Sequence, residues 1–210
     1  MGSFERPDPA ITAAAFFAAW LPEAYTASGS VAPADAPIVR VTLGGAGGGE
    51  WTIVADGDAL TVTPSASGGG KPAPAAPDVW LRQSTADFLA AFASDPDLPE
   101  LLPAGWGPLH LLFLDPRDVT LIRQIAGRLL VEIAGKRRRR WAIDIAVGKA
   151  GMAAGRPRAT VRLDGATYDG LRRGTMPPLQ ALLERKIAVD GDRALAMQAL
   201  LLLGSRLGRG

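Results

Sequence analysis

Side chains able to do covalent or metal chemistry are few in this chain and badly spaced for it. Cysteine is absent and histidine occurs once, at His110, which excludes thiolate nucleophiles, disulfides and Cys/His zinc sites. A Ser–His–Asp triad would rest on that one imidazole, set in an apolar stretch, so a packed histidine is the expectation. Asp144, Asp164, Asp169, Asp190 and Asp192 are spread over caps and turns, with no pair placed for acid–base work. The glycine run at 44–49 lacks the Gly-Lys-Ser/Thr ending of a phosphate loop. The second run, Gly68-Gly69-Gly70-Lys71, meets Pro72 and no helix, so both read as flexible connections. The expectation is a protein without catalytic residues, metal or cofactor.

One charged feature stands out, Lys136-Arg137-Arg138-Arg139-Arg140. Five adjacent cations repel one another and must be solvated or meet anions. A solvated hairpin and the anionic headgroups of a membrane are the two main readings; nucleic acid is disfavoured, because no interleaved aromatics or recognition motif accompany the run. The net charge of +2 also conceals an asymmetry. Residues 1–107 sum to −8 and residues 108–210 to +10. Mutual fit of the two halves, or plain solvation, is the simplest account.

These residues must be positioned by one large domain or two small ones, since the chain has 210 residues. Its 48% hydrophobic and 21% charged content is that of an ordinary globular protein. No stretch reaches the roughly 18 to 20 apolar residues of a membrane span. Residues 10–21 are apolar, but the flank Glu5-Arg6-Pro7-Asp8-Pro9 is acidic where a signal peptide wants positive charge. A cytoplasmic protein is the default. Asp8 as cap with Pro9 at the first helical position predicts a helix to about residue 25. Strands are predicted at 38–43, 51–55, 60–63 and 79–82, the second and third joined at Asp56-Gly57. A Pro/Gly/Ser/Ala loop fills 64–77. Ser84 or Thr85 opens a helix to Phe92, a strand follows at 109–114 and a helix to about 125. Strands at 129–134, 141–147 and 159–163, with a short one near Met152, then precede Asp164, which caps a helix to 171. Helix 178–183, strand 187–189 and a last helix capped by Asp192 complete the order.

The two halves rehearse one pattern. Glu50-Trp51-Thr52-Ile53 matches Arg140-Trp141-Ala142-Ile143, and Arg82-Gln83-Ser84-Thr85-Ala86-Asp87-Phe88 lies against Arg162-Leu163-Asp164-Gly165-Ala166-Thr167-Tyr168. Phe113-Leu114-Asp115-Pro116-Arg117 resembles Val189-Asp190-Gly191-Asp192-Arg193. Two divergent copies are expected, at 1–116 and 117–210, with helix 117–126 closing one and opening the other.

The run from Ala159 to Gly174, an alternating strand leading through a capped helix to a glycine, resembles the centre of the sterol carrier protein 2 family. A Pro-containing second helix, then Lys186-Ile187-Ala188-Val189-Asp190-Gly191-Asp192-Arg193 and an apolar last helix, is similar to the family's ending. Residues 117–203 carry the resemblance well and residues 10–98 more faintly. It implies an α+β fold: a twisted, mostly antiparallel sheet of about five strands per copy, helices on one face, here as an internal repeat. It also implies a non-polar tunnel between sheet and helices for sterols, acyl chains or other lipids, and a carrier rather than an enzyme.

Candidate lining residues in the second copy follow from alternation. Trp141, Ile143 and Ile145 share one side of a strand, with Val161 and Leu163 on its neighbour. Met152, Met176, Leu179, Leu182, Leu183, Met197 and Leu200 can close the other side, and methionine suits variable lipid shapes. The same residues would equally make an ordinary core. Residues 194–203 are apolar on nearly every side, which calls for burial between the copies, an oligomer contact or a ligand. The expected function is non-enzymatic binding or transfer of a hydrophobic small molecule, with Lys136–Arg140 as the membrane contact. The alternative is an interaction module with a filled cavity, accessory to an enzyme.

Overall fold

The computed structural model describes residues 7–29, 31–65, 76–92, 95–101, 126–148, 151 and 157–207, the last seven by backbone alone. The expected strand 109–114 with His110, helix 117–126, Met152 and most of the 64–77 loop lie outside these residues. Among the described residues, one sheet runs through β1 (Val39–Gly44), β2 (Gly49–Asp56), β3 (Ala59–Pro64) and β4 (Val79–Ser84). It continues through β5 (Gly127–Ala134), β6 (Arg140–Val147), β7 (Ala159–Asp164) and β8 (Ile187–Gly191). The spatial order is β3-β2-β1-β4-β6-β5-β7-β8. β1 with β4 and β5 with β7 are parallel; every other pair is antiparallel.

Alternation and register give this sheet one apolar face. Val39, Val41 and Leu43 are buried while Arg40 and Thr42 between them are half-buried. Directly paired residues project to the same side, so the apolar row passes from Val39 to Ile53, from Val79 to Val147, and from Val131 to Val161 to Val189. Among the described residues, five helices longer than a single turn pack on that face. The helical rod α1 comprises Ala13–Ala15, the π-turn Phe16–Trp20 and Leu21–Ala27. Then come α2 (Thr85–Ala90), α3 (Gly165–Arg172), α4 (Pro178–Leu183) and α5 (Arg193–Leu207).

Caps end the strands and start the helices as expected. Ser84 accepts from the N–H of Asp87 at 3.0 Å, Asp164 from Thr167 at 2.7 Å and Asp192 from Leu195 at 3.0 Å. Those backbone N–H groups hold the Asp164 and Asp192 carboxyls below their ordinary pKa. At the N-terminus the cap differs from expectation. Thr12, not Asp8, accepts from Ala15 N, at 3.1 Å. Asp8-Pro9 instead opens a turn closed by Ile11 N on Asp8 O at 2.8 Å, because proline fits the second position of a β-turn as well as a first helical position. The β2–β3 turn is likewise one residue on: Asp56 pairs with Ala59 across Gly57-Asp58, with Gly57 at φ +58°.

The larger difference concerns the sheet. Instead of about five strands per copy, each half gives four described strands to one continuous sheet, joined where β4 pairs β6 from Val79↔Val147 to Arg82↔Asp144. Pairing removes two open edges that separate sheets would expose. The pairing scheme β2-β1-β4 recurs in β6-β5-β7, a hairpin whose first strand takes a parallel neighbour.

Opposite charge is spent at the junction. Arg139 of the basic half meets Asp87 at 2.7 Å and Asp95 at 3.4 Å, and Arg172 meets Glu100 at 3.2 Å. Gly135 lets the segment at Asp97 pass against the β5–β6 hairpin: an added Cβ would stand 2.1 Å from Asp97 O, so only glycine fits. Lys136 N donates to that same carbonyl at 2.7 Å.

Tyr168 on α3 donates its hydroxyl to Leu101 O across the junction. Burial pushes its pKa up from 10.0 to about 12. The protonated form is therefore favoured in the folded state: its stabilisation is full below pH 10 and falls as pH rises toward 12. The loss expected at the top of that window is about 2 kcal/mol. Denaturant titrations at neutral and alkaline pH should show this alkaline loss in the native protein and not in Tyr168→Phe. Equal pH profiles would remove Tyr168 from the account.

Candidate hydrophobic-ligand site

The site begins with a helix irregularity. In the π-turn of α1, Leu21 N bonds Phe16 O, five residues back. The inserted residue keeps Phe16, Phe17, Leu21 and Tyr25 all buried against the sheet. Phe17 stacks on Trp51 with centroids 4.4 Å apart, and Phe16 meets Phe88 at 5.1 Å and Phe92 at 4.9 Å. Tyr25, with 0% exposure, donates to Gly57 O at 2.7 Å and fixes the far end of the rod.

Beneath this aromatic cluster lies an apolar recess of about 40 Å³. It is lined by Phe16, Phe17 and Leu21 of α1, Phe88 of α2, Val41 and Leu43 of β1, and Ile53 of β2. Leu81 and Gln83 of β4 and Ile143 of β6 complete the wall. Gln83 is the one polar residue in this lining, and its Nε2 donates to Ala142 O at 2.9 Å. The volume is that of one or two waters; a fatty acyl chain needs the helices to move. Past Ile143, the same face of β6 continues as a half-buried apolar row of Trp141, Ile145 and Val147. Trp141 Nε1 donates to Asp87 O at 2.7 Å, tying this row to α2.

The expected lining residues do not converge on one cavity. Ile143 lines the recess. Val161, Leu163 and Leu200 are core residues, while Ile145, Met176 and Met197 are half-buried. Leu179 and Leu183 face solvent. On α5 burial is one-sided over the described side chains, with Leu195, Ala196 and Leu200 inside and Ala194 and Gln198 outside. The recess walls Phe16, Phe17 and Phe88 were not singled out by motif or alternation. Their signal was composition: four of the six phenylalanines, at 16, 17, 88 and 92, gather in one cluster.

In the basic run, Arg139 is occupied by Asp87 and Asp95, and Arg137 approaches Asp97 at 3.8 Å. Lys136, Arg138 and Arg140 are exposed. Opposite the helices, the polar sheet face carries its own network. Asp144 accepts from Arg128 Nε at 2.9 Å and Arg82 Nη2 at 3.4 Å, and Arg162 joins Glu132 and Asp190. Among the described residues no cluster of His, Asp or Glu could hold a metal ion, and no helix is long and apolar enough to cross a membrane.

Residues 110–203 match the SCP-2 sterol transfer family. No curated protein sequence matches the chain. Among solved structures, it is similar to the sterol carrier protein domain 2 of Helicoverpa armigera, with 19% identity and TM-score 0.34, over 46% of this chain and 79% of that one. Sterol carrier protein 2 from Yarrowia lipolytica, in its apo form, gives 16% identity and TM-score 0.32 over 45% and 84%. A UbiJ-SCP2 ubiquinone synthesis protein gives 17% and 0.33 over 46% and 85%.

Proposed function

Because residues 110–203 match the SCP-2 sterol transfer family, we propose that the chain is a non-catalytic binder of a hydrophobic small molecule, lodged between the sheet and helices of the first half and closed by Ile143 of the second. The observation that carries this reading is the recess at Phe16, Phe88, Leu81 and Ile143, continuous along β6 with a half-buried apolar row. Nine of its ten lining residues are apolar. Partition supplies the affinity. Each buried methylene contributes about 0.8 kcal/mol, so ten of them reach roughly micromolar binding. Entry requires α1 to lift, and the π-turn is the weak point of that rod. The pairing scheme shared by β2-β1-β4 and β6-β5-β7 supports reading 1–116 and 117–210 as two such units fused through their sheets.

The small volume, about 40 Å³, favours a second reading. The interior is then filled, and the fold serves as an interaction module accessory to an enzyme. Native mass spectrometry of delipidated protein titrated with a long-chain fatty acid separates the two. One acyl chain bound per protein, weakened about ten-fold in Ile143→Gln, supports the binder. No bound mass, or equal binding by the variant, supports the filled module.

A further inference from the structure

One end of the second half presents a surface that the ligand reading does not use. Helix α4 turns Ala181 and Leu182 toward the core and leaves its other two leucines outside. Ala181 is its 0% exposed anchor, while Leu179 and Leu183, one turn apart, are 55% and 76% exposed. A short helix settles with its large apolar side chains inward unless these have a partner outside.

Cations gather at the end of the sheet where α4 leads into β8. Ala134 pairs with Asp164 and Leu163 with Ile187. The hairpin after Ala134 and the residues just before Ile187 therefore share one end of the sheet, two strand spacings or about 10 Å apart. Lys136, Arg137, Arg138 and Arg140 rise from the hairpin, and Arg185 and Lys186 follow α4 directly; all six are exposed. Three carboxylates lie among them, Asp97 at 3.8 Å from Arg137, Glu184 at 2.7 Å from Lys186, and Asp164 within the field of Lys186. The cations still outnumber them.

The backbone adds an independent observation. Among the described residues, the non-glycine positions with positive φ are Arg137 (48°), Arg138 (64°) and Arg185 (57°). All three lie at this end. Arg185 occupies the left-handed position after α4, where Lys186 N bonds Ala181 O and glycine is the usual residue. Each arginine holds a conformation that glycine adopts without strain, and supplies a cation there instead.

We propose that this end, the β5–β6 hairpin together with the turn from α4 into β8, docks on an anionic lipid bilayer, with Leu179 and Leu183 entering the interface. Exposed apolar residues beside a group of cations match the two components of that surface, acyl chain and phosphate. The proposal is independent of what the interior binds, and the test uses delipidated full-length protein.

Cosedimentation with phosphatidylcholine vesicles, with and without phosphatidylserine, reads the effect. Binding should require phosphatidylserine and fall with added salt. Leu179→Ser/Leu183→Ser should weaken it at least ten-fold. The triple variant Arg137→Gly/Arg138→Gly/Arg185→Gly should weaken it about a hundred-fold, from roughly five-fold per cation, while its denaturation midpoint rises. Opposite signs in stability and binding are something a purely structural role would not give. Equal binding to both vesicles, unchanged binding by either variant, or a wild-type dimer that the leucine variant dissolves would each overturn the proposal, the last by assigning the leucines to a second copy.

Discussion

Phe88→Ala is expected to lower the free energy of unfolding by about 3–5 kcal/mol. Phe88 is 7% exposed and meets Phe16 at 5.1 Å, Phe17 at 5.3 Å and Phe92 at 5.1 Å. Its ring joins α1 to α2 and walls the recess, so truncation loses the transfer term and leaves a hole that rigid neighbours fill only partly. The denaturant midpoint should fall with its slope unchanged. The hole is apolar and adjoins the recess, so benzene at saturation should restore part of the loss by binding only the folded state. An unchanged midpoint would mean that α2 does not depend on this cluster.

The second large effect is expected at the seam. Asp144 lies on β6 opposite Arg82 of β4 and holds Arg128 of β5 through Nε at 2.9 Å. Its hydrogen bond raises the Arg128 pKa above the ordinary arginine value. The side chains of Arg82, Arg128 and Asp144 are 24%, 18% and 17% exposed. Asp144→Ala would leave two half-buried guanidinium groups facing one another without the carboxylate between them. A loss of about 2–3 kcal/mol is expected, below that of a fully buried pair because water still reaches the site. Hydrogen exchange should show the lost protection concentrated in β4 and β6, and Arg128→Leu with Asp144→Leu should recover much of it. Protection lost evenly over the molecule would instead show that the seam is not a separate point of weakness.

Most of the fold was legible before the structure because its signals are local. Val39/Val41/Leu43 alternating with Arg40 and Thr42 can only be a half-buried strand, and Ser84, Asp164 and Asp192 stand where a side-chain oxygen can satisfy the first helical N–H groups. Asp8 misled because Asp-Pro starts a turn and a helix equally well, and only the downstream Thr12 decided between them. The site was less legible. Trp141, Ile143 and Ile145 were placed correctly on one strand face, yet Leu179 and Leu183 point away from it. Helical spacing gives a stripe but not the direction in which a short helix turns it.

The chain's own order of residues thus settled most of the described elements, the caps at Ser84, Asp164 and Asp192, the absence of cysteine and the resemblance of the second half to sterol carriers. What it left open was how the two halves combine. The pairing of β4 with β6, Asp87 and Asp95 on Arg139, and Gly135 against Asp97 O all join residues distant in sequence. No local pattern encodes such contacts, since each half satisfies its own periodicity whether it closes a separate sheet or shares one. The −8 and +10 charges left mutual fit and plain solvation equally open, and packing alone decides how the halves meet. With the sheet continuous, Ile143 of the second half closes a recess otherwise lined by the first, and the hairpin and α4 come to the same end.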